Sequence, residues 1–207
     1  MNFTEDSNHN DYSMISKNTV FIIGSGASYP YGFPLGLKLR ELAFRKSTPM
    51  FQEFHNRMGG DTLSELNNLA QKFSNHFKTS GDQSIDWFLK KLPEYGEVGK
   101  FLILDNIMQV ENNSKFLEEM KPEFRNQDWY WYLYNEMSKY PKGDTDPDLF
   151  LRKRVAFITF NYDRSFEHFF FTSFSNGHNF DKYKSIAVEL FKKMPIHHIY
   201  GKVALMD

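Results

Sequence analysis

Three short groups of residues in this 207-residue chain have the types and spacing that chemistry requires. The first is Gly24-Ser25-Gly26-Ala27-Ser28, a turn of small residues directly after the apolar run Val20–Ile23. In many folds a strand feeding a glycine turn, with helical sequence to follow, brings backbone N–H groups against a pyrophosphate. Glycine permits positive φ and omits the Cβ that would keep a ligand from the backbone. The named signatures of such loops are missing. The third glycine of a GxGxxG is displaced to Gly32, no Gly-Lys-Ser/Thr follows, and neither Ser25 nor Ser28 has glycines two residues before and two after. By itself the loop fits both a nucleotide site and a merely structural tight turn.

The second group is Phe157-Ile158-Thr159-Phe160-Asn161-Tyr162-Asp163. Asn161 and Asp163 fall at the carboxyl end of a strand-like run, where open α/β sheets hold their ligands. A neutral amide there can hold a ribose hydroxyl or a water without adding charge. Asp163 also fits a plain helix cap for a segment starting at Arg164, a role worth about 1 kcal/mol. The third group is Ile196-His197-His198-Ile199-Tyr200-Gly201. Alternation along a strand puts His198 and Tyr200 on one face and His197 on the other. A histidine at a strand end, with an ordinary pKa of about 6.5, can serve as a general base. It can equally be a satisfied core or surface histidine.

These groups need elements to position them. Val20–Ile23, Val155–Phe160 and Ile196–Tyr200 read as strands, the first two as buried ones. Helical spacing predicts helices over Leu35–Phe44, from Leu63 to Phe77, over Val98–Val110, over the aromatic run Asp128–Met137, and over Arg164–Phe174 and Asp181–Lys193. Ser84–Leu89 opens another, with Ser84 as N-cap and Asp86 well placed in its first turn. Tyr140–Asp148 reads as a loop, because proline, glycine and aspartate all oppose regular structure. The order strand, long helical region, strand, helix, strand implies an α/β fold: a Rossmann-like parallel sheet with a helical insertion after the first βα unit. Residues 1–18 are expected to form a flexible lead-in, residues 19–207 the domain, and residues from about 50 to 140 the insertion. Three strands make a thin sheet for this class, so the domain is expected to be incomplete at the C-terminus.

Composition narrows the function classes. A net charge of −1 gives no reason to expect nucleic acid as a partner. Mean hydropathy is −0.57, and no apolar run approaches the roughly 20 residues of a membrane span. The polar first 18 residues resemble neither a secretory signal nor a transit peptide, so a cytoplasmic protein is expected. Zero cysteines exclude disulfides, thiol nucleophiles and cysteine zinc sites. No metal is expected. Asp144, Asp146 and Asp148 alternate like calcium ligands but lack the glycine and the bidentate Glu of a calcium loop. Asp163 and Glu167 lie one helical turn apart without a histidine pair to complete a set. The run Trp129–Tyr134 fits core plus an interaction face, since no basic residues interleave it.

Taken in order, the Gly24–Ser28 loop with Gly32-Phe33-Pro34 eight residues after its first glycine, then Thr159–Asp163, then His197–Gly201, resemble the successive motifs of the sirtuin-like NAD-binding family. Ser84-Ile85-Asp86-Trp87-Phe88-Leu89 is similar to a segment common in the divergent prokaryotic branch of that family, found in anti-phage defence NAD hydrolases. The resemblance covers about residues 19–203. It implies that Gly24, Ser25, Gly26, Ala27 and Ser28 line the NAD diphosphate and adjoining ribose, and that Gly32 and Pro34 shape the loop near the nicotinamide end. It implies that Asn161 orients the nicotinamide ribose or an attacking water, that Asp163 supports that pocket, and that Asp86 faces it from the insertion. In the family a catalytic His stands immediately before the strand-ending glycine. Here that place is Tyr200, and His198 is the substitute expected to accept the proton. The segment Gly32–Leu39 lacks the acidic and arginine residues of protein deacylases. With no cysteine for their zinc module either, acyl-lysine hydrolysis is not expected.

The resemblance therefore implies NAD glycohydrolysis, with NAD as substrate and Asn161 and His198 as catalytic residues, in abortive-infection defence. Two other readings stand beside it: a non-catalytic NAD or ADP-ribose sensor, and an interaction module of a defence complex. A second copy of the chain or a defence-system protein is the macromolecular partner these readings suggest.

Overall fold

The computed structural model describes residues 15, 17–42, 63–113, 128–139, 150, 154–177 and 180–202. Its centre is a three-stranded parallel sheet of β1 (Thr19–Ile23), β2 (Val155–Thr159) and β3 (Ile196–His198), in spatial order β1-β2-β3. Val155-Ala156-Phe157-Ile158-Thr159 is rich in the β-branched and aromatic residues that fit a pleated surface, and it takes the middle place. Phe21 aligns with Phe157 and Phe157 with Ile196, so one row of side chains crosses the sheet. Around it lie α1 (Gly36–Leu42), α2 (Leu63–Thr79), α3 (Ile85–Lys91), α4 (Gly96–Asn113), α5 (Trp129–Met137), α6 (Ser165–Gly177) and α7 (Phe180–Lys193). The chain is thus α/β with a small parallel sheet.

The helix starts follow from their caps. Ser84 stands outside α3 in extended conformation and its hydroxyl accepts from Trp87 N–H, as the sequence predicts. Asp128 does the same for α5, taking the Tyr130 and Trp131 amides at 3.0 and 3.2 Å. Two hydrophobic clusters result. One buries Ile23, Tyr130, Leu133, Phe157, Phe166, Phe170 and Leu190 between the sheet and α5, α6 and α7. The other buries Phe33, Phe73, Phe77, Phe88, Phe101 and Ile107 among α1 to α4. Aromatic rings recur in both, and several pairs sit in the favoured tilted or edge-to-face range, such as Phe157 on Phe166 at 4.5 Å.

One expectation needs correction. β1 is not a buried strand, because Val20 and Ile22 are 58% and 72% exposed. Phe21, Phe157 and Ile196 face the helices, whereas Val20, Ile22 and His197 share the opposite face. Among the described residues no helix covers that second face, and a run of apolar residues alone does not distinguish one covered face from two. The strand at β3 is also shorter than expected, ending at His198 with Ile199 and Tyr200 in a turn. The Tyr140–Asp148 loop, Asp144, Asp146 and Asp148, and nearly all of the lead-in lie outside the described residues. No helix of the described residues is long and apolar enough to cross a membrane.

The asymmetry of the sheet gives a direct test. Phe170→Ala, at a fully buried position, is expected to cost about 3–5 kcal/mol of unfolding free energy. Ile22→Thr is expected to change stability by less than about 0.5 kcal/mol. Urea unfolding of the two variants beside the parent chain reads both values.

Candidate functional site

Parallel pairing sets Ile23, Thr159 and His198 side by side in one row. The three segments that follow them therefore leave the sheet at the same edge. The first is the glycine loop. Ala27 N–H closes a turn onto Gly24 O at 2.9 Å, and the Ser28 hydroxyl donates to Ser25 O at 3.3 Å. Among the described residues the amides of Ser25 and Gly26 have no protein partner. The positive φ expected of this loop is not at Gly24 or Gly26; it is at Gly32, at +90°, which caps the short 3-10 turn Tyr29–Tyr31. A Cβ built on Gly24 or Gly26 meets nothing within 4 Å. Neither backbone conformation nor packing within the described protein calls for glycine at these two places.

Asn161 binds the second segment to the first. Its Nδ2 donates to Gly24 O at 3.1 Å and to Ser28 Oγ at 3.3 Å, while its own amide is held by Thr159 Oγ1 at 3.0 Å. Beneath it runs a buried polar chain. Asp163 Oδ1 accepts from Ser165 N–H at 3.0 Å, and the Ser28 and Ser165 hydroxyls lie close enough to this carboxylate to favour its charged form. Ser165 Oγ lies 2.9 Å from Tyr130 OH. Burial pushes the Asp163 carboxyl above the usual carboxylate range, against the opposing pull of these hydrogen bonds. Asp163 thus acts at the start of α6 as a cap and also supports the loop through Ser28. Ala27 is buried in the sheet-side cluster. Tyr31 ties the loop's exit to α5, its hydroxyl donating to Asp128 Oδ2 at 2.8 Å and its ring stacked on Tyr130. Pro34 follows this turn and is half-buried.

His198 does not open into free space. Its side chain is 6% exposed, with Nδ1 3.0 Å from the Asn161 carbonyl oxygen and Nε2 2.8 Å from Glu167 Oε1 on α6. A carbonyl and a carboxylate both accept, so the doubly protonated ring is the form that makes both contacts at once. Burial works against that charge, but the Glu167 hydrogen bond and its negative charge outweigh it and hold His198 above its ordinary pKa. Lys202 Nζ stands 3.7 Å from the same Glu167 oxygen. His197 points away and is exposed, as alternation predicts. Tyr200 does not share the His198 face, because the strand has already ended. Its ring stacks on Tyr162 instead, at 6.2 Å, and the Tyr162 hydroxyl donates to Asp86 Oδ1. Asp86 therefore reaches the edge of the sheet from α3.

The structure brings together the loop, Asn161, Asp163 and His198 as one bonded set, and Asp86 and Tyr200 as a second set around Tyr162. Gly32 and Pro34 stand apart at the loop's exit. Glu167, Tyr162, Ser165 and Tyr130 complete these sets and were not singled out from the sequence as site residues. Glu167 is visible there only as the residue one turn after Asp163, with nothing to connect it to a histidine 31 residues later. Two cavities, of about 580 and 540 Å³, lie near the amino-terminal ends of the strands, one against Phe21, Trp129 and Tyr132 and the other against Arg154 and Pro195. Neither is lined by the residues just described. Among the described residues no group of three or more His, Asp or Glu is arranged to hold a metal ion.

No family model, curated protein or solved structure matches this chain.

The His198–Glu167 pair makes stability depend on pH in a definite direction. A histidine whose pKa rises on folding contributes fully below its unfolded value of about 6.5, and the contribution is lost as pH rises through the higher folded value. Glu167→Gln is expected to lower the His198 titration midpoint in an NMR pH series. It should also cost about 1–3 kcal/mol at pH 6 and distinctly less at pH 9.

Proposed function

We propose that the chain is an NAD glycohydrolase of Rossmann-like, sirtuin-like type, cleaving the bond between nicotinamide and ribose. The observation that carries this reading is the sheet edge itself. A glycine loop with two unpartnered amides and open space at both glycines is held at 3.1 Å by the side chain of Asn161, beside the end of the next strand. Open N–H groups at the end of a parallel strand suit a diphosphate. Glycines that nothing else in the described fold demands suit a ligand that comes against the backbone there. The defence setting follows from the resemblance of the motifs alone.

The chemistry asks little of the protein. Cleavage passes through an oxocarbenium-like state, in which positive charge develops on the ribose. Nicotinamide leaves as a neutral ring from a cationic one, so no general acid is needed. The dinucleotide must be held so that water meets the ribose carbon as the bond breaks. In this reading the Ser25 and Gly26 amides anchor the diphosphate and Asn161 places the water or the ribose hydroxyls. His198, with both ring nitrogens engaged, is a positioning residue. It fixes the Asn161 carbonyl, and it can accept a proton only after giving up one of its two ring protons and the contact made through it.

That last point favours one alternative. With Tyr200 before Gly201 and both nitrogens of His198 engaged, the same site fits an NAD or ADP-ribose sensor that binds without cleaving. The two readings separate on nicotinamide release, followed by chromatography. Under the leading reading the parent chain releases nicotinamide and Asn161→Ala lowers the rate by roughly 10²-fold or more; a sensor binds NAD and leaves it intact.

Gly26→Ala tests the loop without disturbing the fold. Its backbone needs no positive φ and its added methyl meets nothing, so stability is expected to stay level or to rise by up to about 1 kcal/mol. NAD affinity, read by calorimetry, is expected to fall at least tenfold. Unchanged affinity would remove the diphosphate from this loop.

A further inference from the structure

We propose that Tyr200, Tyr162 and Phe160 form an aromatic platform that selects a positively charged planar ring, and that Asp86 sets this charge preference. The inference rests on the dinucleotide reading for the identity of the ring, the pyridinium of oxidised NAD, and on geometry of its own for the platform.

Phe160 and Tyr162 flank Asn161 in the chain, and both turn their rings to Tyr200. Phe160 lies 5.9 Å from it at 52°, and Tyr162 lies 6.2 Å from it at 29°. Rings that merely fill a core are covered. Here Phe160 is 45% and Tyr200 51% exposed, so the cluster offers aromatic surface at the edge where Asn161 grips the glycine loop. Such surface is costly to leave in water and well suited to stacking on another flat ring.

The charge preference comes from behind the platform. The Tyr162 hydroxyl donates to Asp86 Oδ1, and burial together with that carboxylate keeps the phenol protonated far above its ordinary range. Asp86 thus lies one ring behind Tyr200, and its negative charge adds to the negative face of the tyrosines. A cation over an aromatic face is attracted by the ring quadrupole, and a neutral ring of the same shape is not. Glu167 and Lys202, 3.7 Å apart, belong with the His198 ring to a separate ion-paired set. The platform therefore favours a pyridinium over its uncharged counterparts, the dihydropyridine of the reduced dinucleotide or free nicotinamide. After cleavage the ring loses its charge and with it the attraction, which favours release of the product.

Two small probes of nearly one shape test this, 1-methylnicotinamide, a permanent cation, and neutral nicotinamide, titrated against the full chain by NMR. The parent chain is expected to bind the cation about three- to fivefold more tightly. Tyr200→Phe is expected to keep that ratio, while Tyr200→Leu and Asp86→Asn bring it close to one. ADP-ribose, which lacks the ring, is expected to bind the parent and Tyr200→Leu chains equally. Equal affinity of the parent chain for the two probes, or a ratio that survives Tyr200→Leu, overturns the proposal. If the cation preference depends on Tyr200 but neither ADP-ribose nor NAD binds, the platform stands and the dinucleotide reading falls. Circular dichroism of each variant shows that it is folded before its ratio is read.

Discussion

The site depends on one side-chain amide. Asn161 Nδ2 reaches across from the end of β2 to Gly24 O and Ser28 Oγ in the loop after β1, and so joins two segments 137 residues apart in the chain. Without that bond the glycine turn keeps its own strand, buried Ala27 and the Tyr31 contact with α5, but loses its direct tie to the end of β2. With it, the turn is held against a central strand whose partners on both sides are fixed in register. The amide is in turn held from two directions, its backbone N–H by Thr159 and its carbonyl by the His198 ring. Both holding groups stand in the last row of the sheet, so strand register and loop geometry are one constraint.

Beneath the loop the polar atoms are joined in a continuous chain, from Tyr130 through Ser165 and Asp163 to Ser28. Buried polar groups are tolerated when each has its partner, and a connected set resists rearrangement more than its separate bonds would. The desolvated Asp163 shows what it costs to keep such a chain in an apolar setting. A loop that carried no burden could be packed with aliphatic residues and be more stable. A polar foundation beneath a turn whose Ser25 and Gly26 amides lack a protein partner among the described residues is the arrangement expected where exact loop position matters more than stability.

Much of the framework is legible in the sequence, and the reasons are local ones. The cap at Ser84 is set by a side chain acting three residues along, and the strands by short apolar runs, whereas Asp128, read as the first residue of its helix, proves to be the cap outside it. What is not legible depends on neighbours distant in sequence. Nothing in Val20-Phe21-Ile22-Ile23 says that only one of its faces is covered. Nothing around His198 announces Glu167, whose carboxylate changes the meaning of the histidine from a free base to a doubly donating ring. The expectation that Tyr200 shares the His198 face failed because the strand ends two residues before Tyr200. The glycines of the loop were expected to serve backbone conformation, but only Gly32 does.

Tyr31 carries a consequence of another kind. Its ring packs against both hydrophobic clusters, the one under the sheet and the one among α1 to α4, and so does no buried residue of either. Two cores that meet at a partly buried ring, with the Arg164–Glu111 ion pair as a further link at 2.8 Å, are able to open separately. Asp86 belongs to the helical unit and Tyr200 to the sheet. The charge behind the aromatic rings therefore comes from the helical cluster and not from the sheet, and the exchange rates of backbone amides in α3 and α4, set beside those of β2, measure whether the two open together.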